Sequence, residues 1–178
     1  IPTEMTVRDI SRVIDAFQSA AERAVTAGFR WIEVHAAHGY LPHAFYSPLS
    51  NIRKDSYGGG FENRVKFSRE IARAIRSIIP DNIVLAFRLS YTDWTEGGWT
   101  LAEAARLAVD LKSDGVDFID VSSGGNSPYT VALMQELRES TKETQSKNAV
   151  IPLYPGYQVE GAAYIKKESG LPVSTVGL

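Results

Sequence analysis

Cysteine is absent from this 178-residue chain, and that one gap excludes disulfides, thiolate metal sites and cysteine nucleophiles. Histidine is scarce, at three residues, so a metal centre built on imidazoles has few ligands to draw on. No apolar run approaches the roughly 18 residues a membrane-spanning helix needs. The formal charge of −2 comes without a basic stripe, so neither nucleic acid nor an anionic membrane is expected as the main partner. Neither an initiator methionine nor a signal-peptide pattern stands at Ile1-Pro2-Thr3, and the chain is expected to be an excised piece. The lack of cysteine fits a cytoplasmic location.

What is present describes an ordinary globular protein: 44% apolar and 22% charged residues, enough for one domain with a core. Thr6 with Asp9 reads as a capping box, and Ile10, Val13, Ile14, Phe17, Ala21 and Ala24 recur at helical spacing up to Gly28. The apolar run from Trp31 to His35 reads as a buried strand. Residues 36 to 60, rich in Gly, Ser, Pro and Asn, read as one long loop, too long to be a mere connector. A helix from about Phe61 to Ile79 is expected to bury Phe67, Ile71, Ile75 and Ile78.

A second strand, Ile83–Leu89, puts Leu85, Phe87 and Leu89 on one face and Val84, Ala86 and Arg88 on the other. Thr100 and Glu103 form a second capping box, opening a helix that stops at Gly115. A third strand, Asp117–Ser122, runs into Ser123-Gly124-Gly125, which reads as a tight strand-exit turn in preference to an anion site. Val131, Met134 and Leu137 suggest a further helix in a charged stretch. A helix near Gln158–Glu168 leads to a last strand, Pro172–Leu178. Strands alternating with helices, with short entries and long exits, argue for an α/β fold with parallel strands. The long exits at the strand carboxyl ends point to a barrel's active face. With about 250 residues usual for a whole (β/α)8 barrel, 178 residues make only part of one.

The residues that could carry chemistry cluster after the first strand. Neutral His35 and His38 could each donate an N–H to a substrate oxygen, polarising it as an oxyanion hole does. They could instead be a strand-end cap and an exposed loop residue; a metal pair would need ligands that the neighbourhood does not supply. Tyr40 could deliver a proton, or be a loop aromatic on the rim. Arg88, pointing into a barrel, needs an anionic or strongly accepting partner, and an ion pair with Glu33 or Asp120 would serve as well as a ligand. Asn51, Arg53, Asp55 and Tyr57-Gly58-Gly59 are read as organisers of the loop.

The pattern His35-Ala-Ala-His38-Gly-Tyr40-Leu41, then Phe45, Ser47-Pro48, Asn51, Arg53, Asp55, Tyr57-Gly58-Gly59 and Glu62-Asn63-Arg64, resembles the old yellow enzyme family. These are flavin-dependent ene-reductases and NAD(P)H dehydrogenases on a TIM barrel. The resemblance covers most of the chain and weakens between about Tyr129 and Leu153, where an inserted loop or helix is expected. It implies a single partial barrel over residues 1–178, with four β/α units matching strands four to seven of eight. It implies non-covalent FMN with NAD(P)H as reductant, and hydride transfer to the activated C=C of an α,β-unsaturated carbonyl compound. His35 and His38 would bind the oxygen of an enone or phenolic ligand, Tyr40 would assist protonation, and Arg88 would face the flavin's N1 and C2 carbonyl. The loop for the FMN phosphate and the strands for the ring's other edge would lie outside these residues. The chain is therefore expected to self-associate or to pair with the remainder of the barrel. The alternative is a non-catalytic half-barrel module that holds no FMN alone; an unrelated phosphate-binding barrel is a third reading.

Overall fold

A computed structural model describes residues 3–125 and 154–177. The first helix, α1 (Val7–Thr26), starts at the expected box: the Thr6 side chain accepts from the Asp9 N–H, and the Asp9 carboxylate accepts from the Thr6 N–H at 3.0 Å. Strand β1 (Trp31–Ala36) follows, and then a short helix, α2 (Leu41–Tyr46). Helix α3 (Phe61–Arg76), strand β2 (Val84–Ser90), helix α4 (Leu101–Ser113), strand β3 (Phe118–Ser122), helix α5 (Val159–Ser169) and strand β4 (Val173–Thr175) complete the order. All strand pairs are parallel, in the sequential order β1-β2-β3-β4. Thr100 and Glu103 cap α4 reciprocally, as expected, and Gly170 ends α5 in the left-handed region.

Three expectations are corrected. The long loop contains α2: Pro42 sits in the first turn, where its fixed φ suits a helix and its missing N–H costs nothing. Helix α3 ends at Arg76, so the helical register fails beyond it; Ile78 is 40% exposed while Ile79 is buried. The last strand is three residues long, because it pairs only with β3, from Ile119↔Val173 to Val121↔Thr175. The expected insertion at Tyr129–Leu153, and the helix suggested by Val131, Met134 and Leu137, lie outside the described residues.

The period of two along each strand divides the sheet into unlike faces. One face, with Val34, Ala36, Leu85, Phe87, Leu89, Ile119 and Val121, is buried with Phe67, Ile71, Ile75, Leu107 and Leu111 of α3 and α4. Each such aliphatic or aromatic side chain is worth roughly 2 kcal/mol of transfer free energy when fully buried. The opposite face is polar. In register across all four strands run His35, Arg88, Asp120 and Ser174. Below them Glu33 faces Ala86, and Trp31 meets Phe118 edge-on at 4.8 Å between ring centroids.

Candidate functional site

The polar row ends where the strands do, and the segment leaving β1 brings the chemistry together there. The His35 ring projects from the strand and meets the rings of His38 at 5.3 Å and Tyr40 at 4.7 Å. His38 has φ of 55°, a left-handed backbone that a non-glycine residue adopts at some cost. Two hydrogen bonds hold that turn: His38 N–H donates to Ser90 Oγ at 3.1 Å, and Gly39 N–H donates to His43 Nδ1 at 2.9 Å. His38 Nε2 and Ser122 Oγ share a 2.6 Å hydrogen bond, tying the ring to the end of β3. The His35 ring makes no hydrogen bond to the described residues.

Both imidazoles are held neutral at pH 7. Desolvation by the surrounding protein pushes the His38 pKa down to about 4, helped by the positive charge of Arg88 and by the neighbouring His35 and His43. His35 is lowered in the same direction, by desolvation first and Arg88 second. A neutral imidazole carries one N–H, which is the donor that binding a carbonyl or phenolate oxygen requires.

Arg88 takes up the ion pair that its position demanded. Its Nε lies 3.0 Å from Asp120 Oδ2, and Asp120 Oδ1 accepts from Ser174 Oγ at 2.6 Å. The Arg88 contact lacks hydrogen-bond alignment, so Nε is a buried donor without a hydrogen-bonded acceptor. Glu33 makes no ion pair with Arg88; desolvation, then repulsion by Asp120, raises its pKa. A fixed cation with a spare donor, on the sheet face that carries His35, can face an anionic or strongly accepting group. Among the described residues no group of three His, Cys, Asp or Glu could hold a metal ion.

Tyr40 is 61% exposed at the N-cap of α2, its ring tilted against His35. The loop organisers behave as expected. Asn51 donates to the carbonyls of Phe45 and Tyr57, Arg53 pairs with Asp55 and reaches the Met5 carbonyl at 2.7 Å, and Asp55 accepts from the Tyr57 N–H. The Ser122–Gly125 stretch is a packed turn, with Gly124 N–H donating to the Thr92 carbonyl at 2.8 Å and Ser90 Oγ donating to the Gly124 carbonyl.

Sequence reasoning missed a buried node beneath this surface. His43 and Asp93 are fully buried and bonded at 2.8 Å. Ser47 Oγ and the Trp99 N–H both donate to the other Asp93 oxygen, at 2.6 and 2.9 Å. Burial alone would raise the Asp93 carboxyl, but the bonds from His43 and Ser47, with that from Trp99, outweigh it and hold the pKa below the ordinary value. The available signal was the four-residue spacing of His43 and Ser47, which shares one helical face but fell inside a stretch read as loop.

The whole chain, residues 1–178, matches the model of the NADH:flavin oxidoreductase / NADH oxidase family. An NADPH dehydrogenase of Geobacillus thermodenitrificans is 41% identical over 177 residues, covering 99% of this chain and 46% of that protein. An NADH:flavin oxidoreductase of Gibberella zeae is 41% identical over 190 residues, with 99% and 42% covered. Among solved structures, 2-naphthoyl-CoA reductase with 2-naphthoyl-CoA superposes with a TM-score of 0.80 at 30% identity, over 97% of this chain and 24% of that one. Morphinone reductase in complex with tetrahydroNAD gives a TM-score of 0.69 at 24% identity over 99% of this chain and 41% of that one, a likeness of fold alone. The chain spans less than half the length of these two curated relatives.

Proposed function

Since the chain belongs to the NADH:flavin oxidoreductase / NADH oxidase family, which implies FMN with NAD(P)H as reductant, we propose that it forms the middle of an FMN-dependent ene-reductase barrel. The substrates would be α,β-unsaturated carbonyl compounds, with phenols as ligands of the same site. The observation that carries this reading is the meeting of His35, His38, Tyr40 and Arg88 at one sheet end, with both imidazoles neutral.

Bound FMN would supply the two-electron chemistry, taking hydride from NAD(P)H and giving it to the alkene. The chain's own residues do the rest. His35 donates to the substrate oxygen and withdraws electron density from the C=C. His38 joins it when the ligand oxygen competes for the ring now bonded to Ser122. Tyr40, exposed beside His35, supplies a proton to the carbon next to the carbonyl. Arg88, held by Asp120, would offer bound flavin a positive charge to offset the negative charge of its reduced ring.

The test is phenol binding, read from the flavin absorbance of the chain loaded with FMN. His35→Ala should weaken phenol affinity about tenfold, the loss of one directed hydrogen bond. An unchanged affinity would remove His35 from the site. One observation favours a second reading: the chain spans 46% of the Geobacillus relative. On that reading the isolated chain is a non-catalytic half-barrel module. Retention of yellow FMN after desalting supports a usable site in the chain itself, whereas a colourless protein assigns the activity to a longer assembly.

A further inference from the structure

We infer that buried His43 is a positioning residue for the His35/His38 pair, acting through the Gly39 N–H. The inference rests on the proposed site for its consequence but not for its geometry, which belongs to the chain alone. His43 touches none of the proposed ligand-binding atoms; it acts on the backbone that carries them.

The argument starts from tautomers. Gly39 N–H donates to His43 Nδ1, so Nδ1 carries no proton and the ring's N–H is at Nε2. That N–H points at Asp93 Oδ1, 2.8 Å away. Asp93 is in turn fixed by Ser47 Oγ and the Trp99 N–H on its other oxygen, and the His43 ring stacks on Tyr46 at 4.6 Å. The imidazole therefore has one orientation available. It presents a single acceptor to the turn at residues 38–39.

That acceptor is needed because the turn is costly. His38 at φ 55° and Gly39 at φ 79° are consecutive left-handed residues. Such a conformation persists only where its surroundings over-determine it. Ser90 Oγ holds one N–H of the turn and His43 Nδ1 the next, and together they aim the His38 ring at Ser122. The node also ties together the exits of three strands: α2 after β1, Asp93 after β2, and Gly125 after β3. A side chain at Gly125 would place its Cβ 2.2 Å from Asp93 Oδ1 and 2.4 Å from His43 Cε1, so that backbone is pressed directly onto the pair.

The experiment compares His43→Asn with His43→Leu, which have nearly the same shape. Both remove the Nε2–H that bonds Asp93, and the amide N–H that Asn brings sits at the position of Cδ2, short of Nε2. Only Asn keeps an acceptor where Nδ1 stood. The readout is the His38 ring titration by NMR in the full chain, without flavin; the charged and titratable groups facing that ring are Arg88, His35, His43 and Asp120. Both variants lose the effect of His43 itself on His38, so the comparison is between them: His38 in His43→Leu should titrate at least one unit above His38 in His43→Asn as the ring leaves Ser122. Equal titration in the two variants overturns the inference. The unmodified chain gives an independent check that needs no variant. A scalar coupling across the hydrogen bond between Gly39 N and His43 Nδ1 should be observed, and its absence also overturns it. Phenol affinity, measured separately with FMN, should follow the His38 shift. If it is lost in neither variant while the titrations differ, the positioning role stands and the ligand reading of the site fails.

Discussion

At the scale of single residues, the candidate site holds groups whose pKa values are moved from the ordinary ones. His38, lowered from 6.5 to about 4, binds its proton more readily in the unfolded chain. Its contribution to stability is complete above about pH 6.5 and is lost as pH falls toward 4. His35 acts in the same sense. Glu33 and Asp110, both raised mainly by desolvation, oppose them, because each favours the folded state as it gains a proton. The wild-type slope is thus a net quantity, and the difference from His38→Asn isolates one group. Urea unfolding at pH 7 and pH 5 should show a smaller loss of stability in His38→Asn than in wild type; equal losses would contradict the depressed His38. Arg64 presents a different case. Its guanidinium is buried, donating to the carbonyls of Tyr46 and Gly59 and to Glu103 at 2.6 Å, so it fastens α2, the loop and α4. Arg64→Met should cost about 3 kcal/mol, the range for breaking a buried hydrogen-bonded ion pair. A loss within 0.5 kcal/mol, the ordinary surface range, would show that the loop holds without it.

At the scale of elements, what was legible followed from local rules and what was hidden needed tertiary partners. Both capping boxes, the three strands through Ser122 and the alternation of faces on β2 could be read directly, because caps and periodicity are written in neighbouring residues. Helix α2 could not: six residues are too few to show a period, and its stability comes from burying His43, Phe45 and Tyr46. The length of β4 was set by its partner β3, which no local pattern records. Of the candidate site, His35, His38, Tyr40 and Arg88 could be singled out because their motif is contiguous or their strand position is anomalous, and the structure brings them to one sheet end. Asp93 was not, since its role is fixed by residues up to fifty positions away. The cap rule gives a clean prediction: Thr100→Ala removes the acceptor for the Glu103 N–H and should cost about 1 kcal/mol by thermal or urea unfolding. Gly58→Ala should cost more, about 2 kcal/mol, because the new Cβ would sit 2.2 Å from the Arg53 carbonyl oxygen. The reverse ranking would mean that the loop yields more easily than the helix start.

At the scale of the whole molecule, the sheet is finished on one side only. Helices α3 and α4 cover its apolar face, while the other face presents Glu33, His35, Arg88 and Asp120 together with Trp31, which is 45% exposed. Parallel strands are found almost only where both faces are covered, and β1 and β4 each have an edge with no partner among the described strands. The two curated relatives are more than twice as long as the span they share with this chain. We propose that the chain alone self-associates, closing the β1 and β4 edges rather than the helical side. Two measurements follow. Sedimentation should show mass rising with concentration above that of one chain. Amide exchange should show β1 and β4 gaining protection over the same range while α3 and α4 stay unchanged. A monodisperse monomer with both edge strands already protected would mean that four strands suffice, and the need for a second half would fall.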